Sequence, residues 1–488
     1  MQLELIMISI EASLIFLIVS LTAFYFINNW KTNRICELSA KLPGHNGLSL
    51  LSSIYIILTT KRKNYVSKTL SYVVDDFPMT KIWFFNELLI ITKDADFSYK
   101  IFNSNKTYDK PKVFYQSLLV KNSLLVMSGA EHKRHRKILN KAFTSKMLER
   151  IPKVSDEKSK KILNLMEERV NCGEFELTDY IGAYSFESFG KSNYNYEIDY
   201  YKSKIVQAYA GYCSLMVDTL PFFLIGLSRK LLNYFKLGKS LIQVENEFDK
   251  FINNIHEANS KASKRDENTV VDLLLDPNNK FNKQEVKDEL IMTMFGAYET
   301  TARTVSTALM MLGMHKDVQQ KAVNEIDEIY SQDDNPELTN DFLQKFTYLE
   351  LILKETMRLF AVAPIVARET SEEVNINGFL LPKNSTILIL IDAMHRDKKY
   401  WGNDADKFRP ERFEDEIVNQ HAFAPFTLGS RICIGHRYSM ISMKIFLINF
   451  LRKYKVDCLT KLEEIETEST LTLNFLKGYT VSISKRGA

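Results

Sequence analysis

The sequence feature that most constrains the fold is the segment FTLGSRICIG at residues 426–435, which directly precedes a long apolar stretch. It sets Cys433 between Gly429 and Gly435, with Arg431 two residues before the cysteine. Glycines at these places allow a tight turn and the close approach of a flat group. A helix beginning near Gly435 would point free backbone N–H groups at the sulfur, which lowers the pKa of a thiol and favours the thiolate. We therefore expect a reactive or metal-binding cysteine at a loop-to-helix junction.

The rest of the chain limits what this cysteine can do. The five cysteines are scattered along 488 residues, which argues against a disulfide framework and fits a reducing environment. A cysteine hydrolase would need a histidine base, and the eight histidines show no pattern that supplies one. His436 lies three residues on, but the sequence has no CxxC or HxxxH pattern to complete a zinc site. Haem iron needs only one protein thiolate, so haem ligation and nucleophilic catalysis both stay open here.

Composition and pattern predict a mainly α chain with a small β portion, that is, an α+β fold. The sequence has only 17 Gly and 11 Pro, about half the usual share of roughly 12%, which favours long helices over hairpins. Its formal net charge of +4 gives no indication of a nucleic-acid partner. We expect a buried central helix at 289–314, because Glu299 and Arg303 near its middle argue against contact with lipid. Other helices are expected at 341–360 and 436–454, and strand formers are concentrated at 81–92 and 382–391.

The N-terminal residues predict a membrane anchor. Residues 5–27 form a run of 23 residues in which Glu11 is the single charge. As a helix this run would measure about 34 Å, enough to cross the core of a bilayer. Basic residues follow the run, so its C-terminal end should face the cytosol; a cleaved signal peptide is the alternative, which the acidic start fits poorly. We expect an anchor at 1–30, a linker with a Pro-Gly turn at 31–48, and one further domain at 49–488.

Residues 426–435 match every fixed position of F-x-x-G-x-R-x-C-x-G, the haem-binding signature of the cytochrome P-450 family. The chain resembles that family from about residue 40 to its end. The resemblance implies the cytochrome P-450 fold, a helical bundle around a buried haem, with residues 49–488 as the haem-thiolate monooxygenase domain. It also implies haem b as the cofactor, with the sulfur of Cys433 as the axial iron ligand and with Phe426 and Gly435 among the haem contacts.

A second motif that follows the family's order is E-x-x-R, seen as Glu355 and Arg358 in KETMR. Alone, such a pair is common on solvated helix faces. The segment FRPERF follows at the distance usual in the family and contains Arg412. The resemblance implies that these three residues form a buried structural triad, whose disruption would leave buried charges unpaired.

A third motif, GAYETT at 296–301, resembles the central-helix motif of the family. The resemblance places Ala297 beside the haem and makes Glu299 and Thr300 the acid and the alcohol that deliver protons. For Thr300 the alternative is a hydroxyl that only bonds back to its own helical turn. Many omega-hydroxylases of the family attach haem through a glutamate where this chain has Gly296, so we expect haem to be bound non-covalently.

The two propionates of haem need cationic partners, and the resemblance implies Arg431, Arg368 and Arg136 in this role. His132 stands where the family has a tryptophan; we expect it to donate one hydrogen bond and to change its charge with pH. The basic cluster of Lys133, Arg134 and Lys137 is either a solvated face or the surface that attracts an acidic reductase.

The chain is most similar to the microsomal animal members, in the clan that contains fatty-acid omega-hydroxylases, particularly the insect relatives. The resemblance implies an enzyme that uses O2 and NADPH-derived electrons to oxidise a lipophilic small molecule, such as a fatty acid, hormone or xenobiotic. It implies NADPH-cytochrome reductase as partner, cytochrome b5 as an optional second donor, and the endoplasmic reticulum membrane with the catalytic domain on its cytoplasmic face. The alternatives are a haem-thiolate isomerase or dehydratase and a non-catalytic haem or lipid binder.

Several segments are expected to contact substrate because the family uses them in this way. An apolar patch at 220–227 is either core or a loop that dips into the membrane. The expected substrate contacts are residues 115–127, Tyr298, residues 362–366 and residues 473–475.

Overall fold

A computed structural model describes residues 33–44, 77–84, 87–111, 115, 120–212, 236–260, 268–333, 336–414, 419–469 and 472–487. The predicted anchor at 1–30, parts of the predicted linker and the apolar patch at 220–227 lie outside these residues. Within them, no helix is both long enough and apolar enough to cross a membrane.

The described residues are mainly helical, as the composition predicts. Residues 204–212 are also helical. The helices are α1 (Asn33–Ala40), α2 (Ala95–Asn103), α3 (Gly129–Leu139), α4 (Ser145–Leu148), α5 (Ile151–Met166), α6 (Thr178–Tyr194), α7 (Lys236–Ser260), α8 (Val270–Leu275), α9 (Lys283–Met314), α10 (Lys316–Tyr330), α11 (Asn340–Leu343), α12 (Thr347–Leu359), α13 (Ile391–Arg396), α14 (Lys398–Trp401) and α15 (His436–Lys453).

Among the described residues, the β portion is small and consists of four short sheets. The strands are β1 (Thr80–Phe84), β2 (Glu87–Thr92), β3 (Phe175–Glu176), β4 (Ile365–Glu369), β5 (Val374–Ile376), β6 (Phe379–Leu381), β7 (Thr386–Leu390), β8 (Tyr454–Asp457), β9 (Thr467–Ser469), β10 (Leu473–Phe475) and β11 (Thr480–Lys485). The largest sheet has the order β1-β2-β7-β4, in which only β2 and β7 run parallel. The other sheets pair β10 with β9, β5 with β6, and β3 and β8 with β11.

The central helix α9 is the longest described element and runs through the core, as predicted. It begins six residues earlier than expected, because Asn282 and Glu285 form a reciprocal capping box at its N-terminus. It packs along α6, where a Cβ on Gly182 would lie 3.1 Å from the ring of Tyr298. The hydroxyl of Tyr194 on α6 also donates to the backbone carbonyl of Leu290 at 2.5 Å. Close packing against α6 therefore fixes the position of the GAYETT segment.

The single helix predicted at 341–360 is wrong, because the structure has two helices, α11 and α12. Thr339 caps α11 by accepting from the backbone N–H of Phe342. Phe346, at the break, is fully buried against other aromatic rings. The N-terminus of α12 is capped from outside its own segment: Glu325 of α10 accepts from the backbone N–H groups of Tyr348 and Leu349 at 2.6 and 3.0 Å. A cap supplied by another helix leaves no signal in the local sequence.

Candidate active site

The turn before α15 contains two glycines, and each has a different structural role. Gly429 has φ +71, and a Cβ there would lie 2.2 Å from the carbonyl oxygen of Phe102, so glycine is required by backbone and packing. Gly435 has φ −89, which any residue adopts, but a Cβ there would lie 4.0 Å from the sulfur of Cys433. Gly435 therefore keeps the space beside the sulfur open. The backbone N–H of Cys433 donates to the carbonyl of Phe426 at 3.0 Å and closes the turn.

The sulfur of Cys433 lies deep in the protein yet keeps accessible surface, so it faces an open interior space rather than bulk solvent. Burial raises the pKa of the Cys433 thiol, although the backbone N–H of Gly435 and the charge of Arg136 oppose the rise. The expectation of a lowered thiol pKa is therefore wrong for the chain by itself. Removal from water outweighs the two favourable contacts, and the thiolate needs a bound cation to persist.

The middle of α9 also opens to the interior. Gly296 is exposed although it lies within a buried helix, and a Cβ there would meet only the sulfur of Met292, at 4.0 Å. Ala297 and Thr300 are partly exposed on the same helix. Small side chains therefore line this stretch, as a helix beside a flat cofactor requires.

The structure does not bring the predicted acid and alcohol of proton delivery together. The hydroxyl of Thr300 donates to the carbonyl of Gly296 at 2.6 Å, the back-bonding considered as the alternative. The carboxylate of Glu299 accepts from Tyr209, Arg303 and Thr472 at 2.5, 2.6 and 2.7 Å. Adjacent helix residues point in different directions, so a direct contact between Glu299 and Thr300 is excluded in this arrangement.

Glu299 instead joins three segments of the chain. Tyr209, in the helical stretch 204–212, stacks on Phe295 of α9 with ring centroids 3.7 Å apart. Arg303 donates to the carbonyl of Leu473 in β10 at 2.8 Å. The sequence could not reveal these contacts of Glu299, because Tyr209 and Thr472 are 90 and 173 residues away along the chain.

Three arginines near the cysteine turn form what we call the cation group: Arg368 and Arg431 are buried, and Arg136 is partly buried. Arg368 is 1% exposed; its Nη1 donates to the carbonyl of Ala367 at 3.0 Å, and its Nη2 has no hydrogen-bond partner among the described residues. Arg431 donates to the carbonyls of Tyr108, Leu124 and Met127. Arg136 donates to the carbonyl of Ile432, next to Cys433, at 2.6 Å. Within the ranges that the structure describes, no carboxylate forms an ion pair with these arginines.

The cation group is electrostatically unfavourable as it stands. Burial lowers the pKa of Arg368 to about 10, and it lowers the pKa of Arg136 and of Arg431 as well. Buried charges without partners are costly, so this region favours an anionic ligand. The unpartnered Nη2 of Arg368 is a donor ready for such a ligand.

His132 is 2% exposed, and its Nδ1 is hydrogen-bonded to the hydroxyl of Tyr108. Burial, and then the charges of Arg431 and Arg136, lower the pKa of His132 to about 3. The expectation that its charge changes near neutral pH is therefore wrong. Burial, helped by the neighbouring cations, keeps the imidazole neutral, and a neutral imidazole can donate one hydrogen bond.

The structure assembles Glu355, Arg358 and Arg412 into a buried network, which we call the triad. Glu355 accepts from Arg358 at 2.7 and 2.8 Å and from Nε of Arg412 at 2.9 Å. Both Glu355 and Arg358 are fully buried, and Arg412 is also within 3.3 Å of a carboxylate oxygen of Asp404. The triad ties α12 to the segment that leads to the cysteine turn, with further bonds from Arg358 to the carbonyls of His395 and Ala405.

The structure gives different outcomes for the expected substrate contacts and for the basic cluster. Tyr298 lies in an aromatic cluster against Phe186 and Tyr200 of the core, so a substrate contact there is not supported. Residues 362 and 473, in two expected substrate segments, are joined by a backbone hydrogen bond of 2.9 Å. In the basic cluster, Arg134 pairs with Glu131 and Glu285, whereas Lys133 and Lys137 are exposed.

A family model described as Cytochrome P450 matches residues 47–480. The chain belongs to the cytochrome P450 family. A relative in Drosophila melanogaster, named Probable cytochrome P450 313a1, is 27% identical over 485 residues that cover 95% of this chain and 97% of the relative. The human protein named Cytochrome P450 4V2 is 27% identical over 440 residues, with 84% and 83% covered. Probable cytochrome P450 4ac2 of Drosophila melanogaster is 26% identical over 503 residues, with 96% and 98% covered.

Membership of the P450 family confirms the predicted fold, the enzyme class and the cofactor. The protein is a haem-thiolate monooxygenase that binds haem b through a cysteine thiolate. P450 enzymes use a redox partner and act on lipophilic substrates. The residues present fit this cofactor: a sulfur with open space beside it could bind the iron, and the cation group could supply partners for two propionates.

Proposed function

We propose that this P450 uses O2 and electrons from NADPH, delivered by a separate NADPH-cytochrome reductase, to hydroxylate or otherwise oxidise a lipophilic small molecule such as a fatty acid, hormone or xenobiotic. The observation that carries the proposal is the open space at the sulfur of Cys433 beside a cation group without carboxylate partners. Cytochrome b5 is a second candidate electron donor, which the exposed Lys133 and Lys137 would attract electrostatically.

We assign Cys433 as the residue whose thiolate would bind the haem iron, and the haem would supply the activation of dioxygen. The carbonyl of Phe426 accepts from the backbone N–H of Cys433, Gly435 lies beside the sulfur, and Ala297 leaves room on the side of α9. Arg136, Arg368 and Arg431 hold the propionates as charged donors, and neutral His132 adds one hydrogen bond. Because position 296 is a glycine, no carboxylate is available there to esterify the haem. Extraction with acidified organic solvent should therefore remove all haem, and haem retained by the protein would contradict this assignment.

We assign Thr300 and Glu299 to proton delivery, in two separate steps. The hydroxyl of Thr300 donates a hydrogen bond to the carbonyl of Gly296, so its oxygen can accept a hydrogen bond from a group in the interior. Glu299 reaches the interior only when its bonds to Tyr209, Arg303 and Thr472 break.

The proposed location is the endoplasmic reticulum membrane, with residues 1–30 as the anchor and the catalytic domain on the cytoplasmic face. It is supported by the apolar run at 5–27 and by the basic residues that follow it. Protease treatment of sealed microsomes should digest the catalytic domain, and full protection would contradict this orientation.

A haem-thiolate isomerase or dehydratase is the second candidate, because Glu299 is bound away from Thr300 and such enzymes deliver no protons to dioxygen. The deciding experiment combines the purified protein, reductase, NADPH and a panel of lipophilic compounds. The proposal predicts NADPH- and O2-dependent formation of an oxygenated product. Turnover of a compound without NADPH would support the second candidate, and haem binding without any turnover would indicate a non-catalytic binder.

A further inference from the structure

Arg303 lies on the open side of α9 and has no role of its own in the functions assigned above. It follows Gly296 by seven positions and Thr300 by three, so these residues lie along one side of the helix. Its side chain is 15% exposed, and its guanidinium is 2.6 Å from the carboxylate of Glu299, one turn earlier. An acid that precedes a base by four positions is the favoured order for an ion pair within a helix. The helix itself therefore orients this guanidinium.

The two terminal nitrogens of Arg303 serve different segments of the chain. Nη2 donates to Glu299, and Nη1 donates to the carbonyl of Leu473 in β10 at 2.8 Å. The hydroxyl of Thr472, directly before β10, donates to the same carboxylate oxygen of Glu299 at 2.7 Å. Because a guanidinium is planar and its donors have fixed directions, the bond to Glu299 also fixes where Nη1 points. The ion pair therefore binds the start of β10 at two points.

The strand that Arg303 contacts belongs to a small hairpin. β9 and β10 have three residues each, and among the described residues they pair only with each other. An isolated two-stranded ribbon is at most marginally stable in water, so this hairpin needs attachment to the rest of the protein. The backbone N–H of Leu473 donates to the carbonyl of Val362 at 2.9 Å, and the ring of Phe475 packs edge-on against Phe360 at 5.0 Å. Both contacts attach β10 to the segment after α12, and the ion pair attaches it to α9.

We propose that Arg303 is a positioning residue, which holds β10 against α9 and thereby sets the shape of the substrate space at residues 473–475. This inference rests on the proposed function and on the expectation that residues 473–475 contact substrate. Glu299 neutralises the guanidinium, so the pair adds no net charge to this wall. Leu473 and Phe475 are buried and, as alternate residues of a strand, lie on the same face of β10. A shift of β10 would therefore displace both apolar side chains.

The test compares three haem-loaded full-length variants with the wild type. Arg303→Leu removes both the ion pair and the bond to β10. Arg303→Lys keeps a positive charge beside Glu299, but a single ammonium does not reproduce the fork that also reaches Leu473. Tyr209→Phe is the matched control, because it removes a different hydrogen bond to Glu299 and leaves Arg303 and β10 as they are.

Hydrogen exchange of the backbone amides at residues 472–476 measures how firmly β10 is held. Arg303→Leu and Arg303→Lys should raise the exchange rate of the Leu473 amide about tenfold, the size expected for one charge-assisted hydrogen bond. Tyr209→Phe should exchange at the wild-type rate. An unchanged rate in both Arg303 variants would overturn the inference. An equal rise across the helices of the core would also overturn it, because Arg303 would then only stabilise the fold as a whole.

Spectral titration of the ferric proteins with 1-alkylimidazoles, from methyl to dodecyl, measures the shape of the substrate space. The imidazole nitrogen binds haem iron and shifts its absorption band, while the alkyl chain extends into that space. The methyl compound should bind all four proteins equally. The longest chains that the wild type binds should bind about fivefold more weakly to both Arg303 variants and with unchanged affinity to Tyr209→Phe.

Equal affinities of the four proteins for every chain length would contradict a positioning role of Arg303. Should Arg303→Leu load too little haem, Arg303→Lys still carries the test, because it keeps the buried charge pair. Failure of the proposed function is recognised separately, since such a protein would show no haem-thiolate spectrum whatever its rate of hydrogen exchange.

Discussion

The triad and the cation group both place arginines at buried or partly buried positions, but among the described residues only the triad has carboxylate partners. Arg358 and Arg412 share Glu355, and Asp404 adds a second carboxylate to Arg412. Among the described residues, Arg368 donates to a backbone carbonyl and lies over the ring of Phe102, and its Nη2 has no hydrogen-bond partner. Buried charges that have partners stabilise a fold when every donor is used. Buried charges without partners are costly and favour the binding of an oppositely charged ligand. The difference separates residues that stabilise the fold from residues that we propose to bind the cofactor.

The largest expected effect comes from breaking the triad. Glu355→Ala leaves two buried guanidiniums without their shared carboxylate, which should cost about 3–5 kcal/mol of unfolding free energy. We expect the variant to be recovered without bound haem, as measured by haem content and urea denaturation. Glu372→Gln removes an exposed carboxylate paired with Lys106 and should cost less than about 1 kcal/mol. Normal haem content in Glu355→Ala would refute the structural role of the triad.

The opposite behaviour is expected in the cation group. Arg368→Met removes a buried charge without a carboxylate partner, so the haem-depleted protein should be as stable as the wild type or more so. Haem affinity should fall about tenfold, because one charged donor to a propionate is lost. Denaturation and haem transfer to an acceptor protein measure the two effects. If Arg368→Met destabilises the haem-depleted protein as strongly as Glu355→Ala does, the two groups do not differ in the way described.

The titration of His132, which lies beside the cation group, should make the stability of the folded protein depend on pH. Its pKa is about 3 in the folded protein against 6.5 as its ordinary value, so the unfolded state binds the proton more tightly. Its contribution to stability is thus complete above about pH 6.5 and is lost as the pH falls towards 3. Between pH 7 and pH 5 the loss should be about 2 kcal/mol.

The pH dependence is measured by denaturation of haem-depleted protein at pH 7 and pH 5. Over this interval, the free energy of unfolding of His132→Trp should fall by about 2 kcal/mol less than that of the wild type. His421→Gln, which changes a histidine beside Asp96 at the surface, should follow the wild type. A wild type and a His132→Trp variant with the same pH profile would show that His132 is protonated in the folded state.

The smallest expected effect is on proton delivery. Thr300→Val should lower the share of NADPH-derived electrons that appears in product several-fold, because the hydroxyl beside the open interior is lost. Thr304→Val is the matched control, since Thr304 donates to the carbonyl of Thr300 one turn away and should change coupling little. Measuring product against NADPH consumed distinguishes the two. If both variants form the same amount of product per NADPH consumed, Thr300 has no role in proton delivery and its hydroxyl serves only the hydrogen bond to its own helical turn.

Local motifs were predictable from the sequence because all of their residues lie within one short segment of the chain. The cysteine turn, the E-x-x-R pair and the glycine of α9 depend on spacing within one segment. The capping of α12 by Glu325 and the binding of Glu299 by Tyr209 depend on tertiary packing, so no local pattern encodes them. The neutral state of His132 and the raised pKa of the Cys433 thiol have the same origin, because desolvation depends on the whole fold.

The central claim is that Cys433 binds haem iron as a thiolate, and the carbon monoxide difference spectrum of the reduced protein tests it most directly. The wild type should show the absorption band of thiolate-ligated haem, and Cys433→Ser should lose that band although the cation group is intact. A wild-type protein without this band, or a Cys433→Ser variant that retains it, would contradict the account.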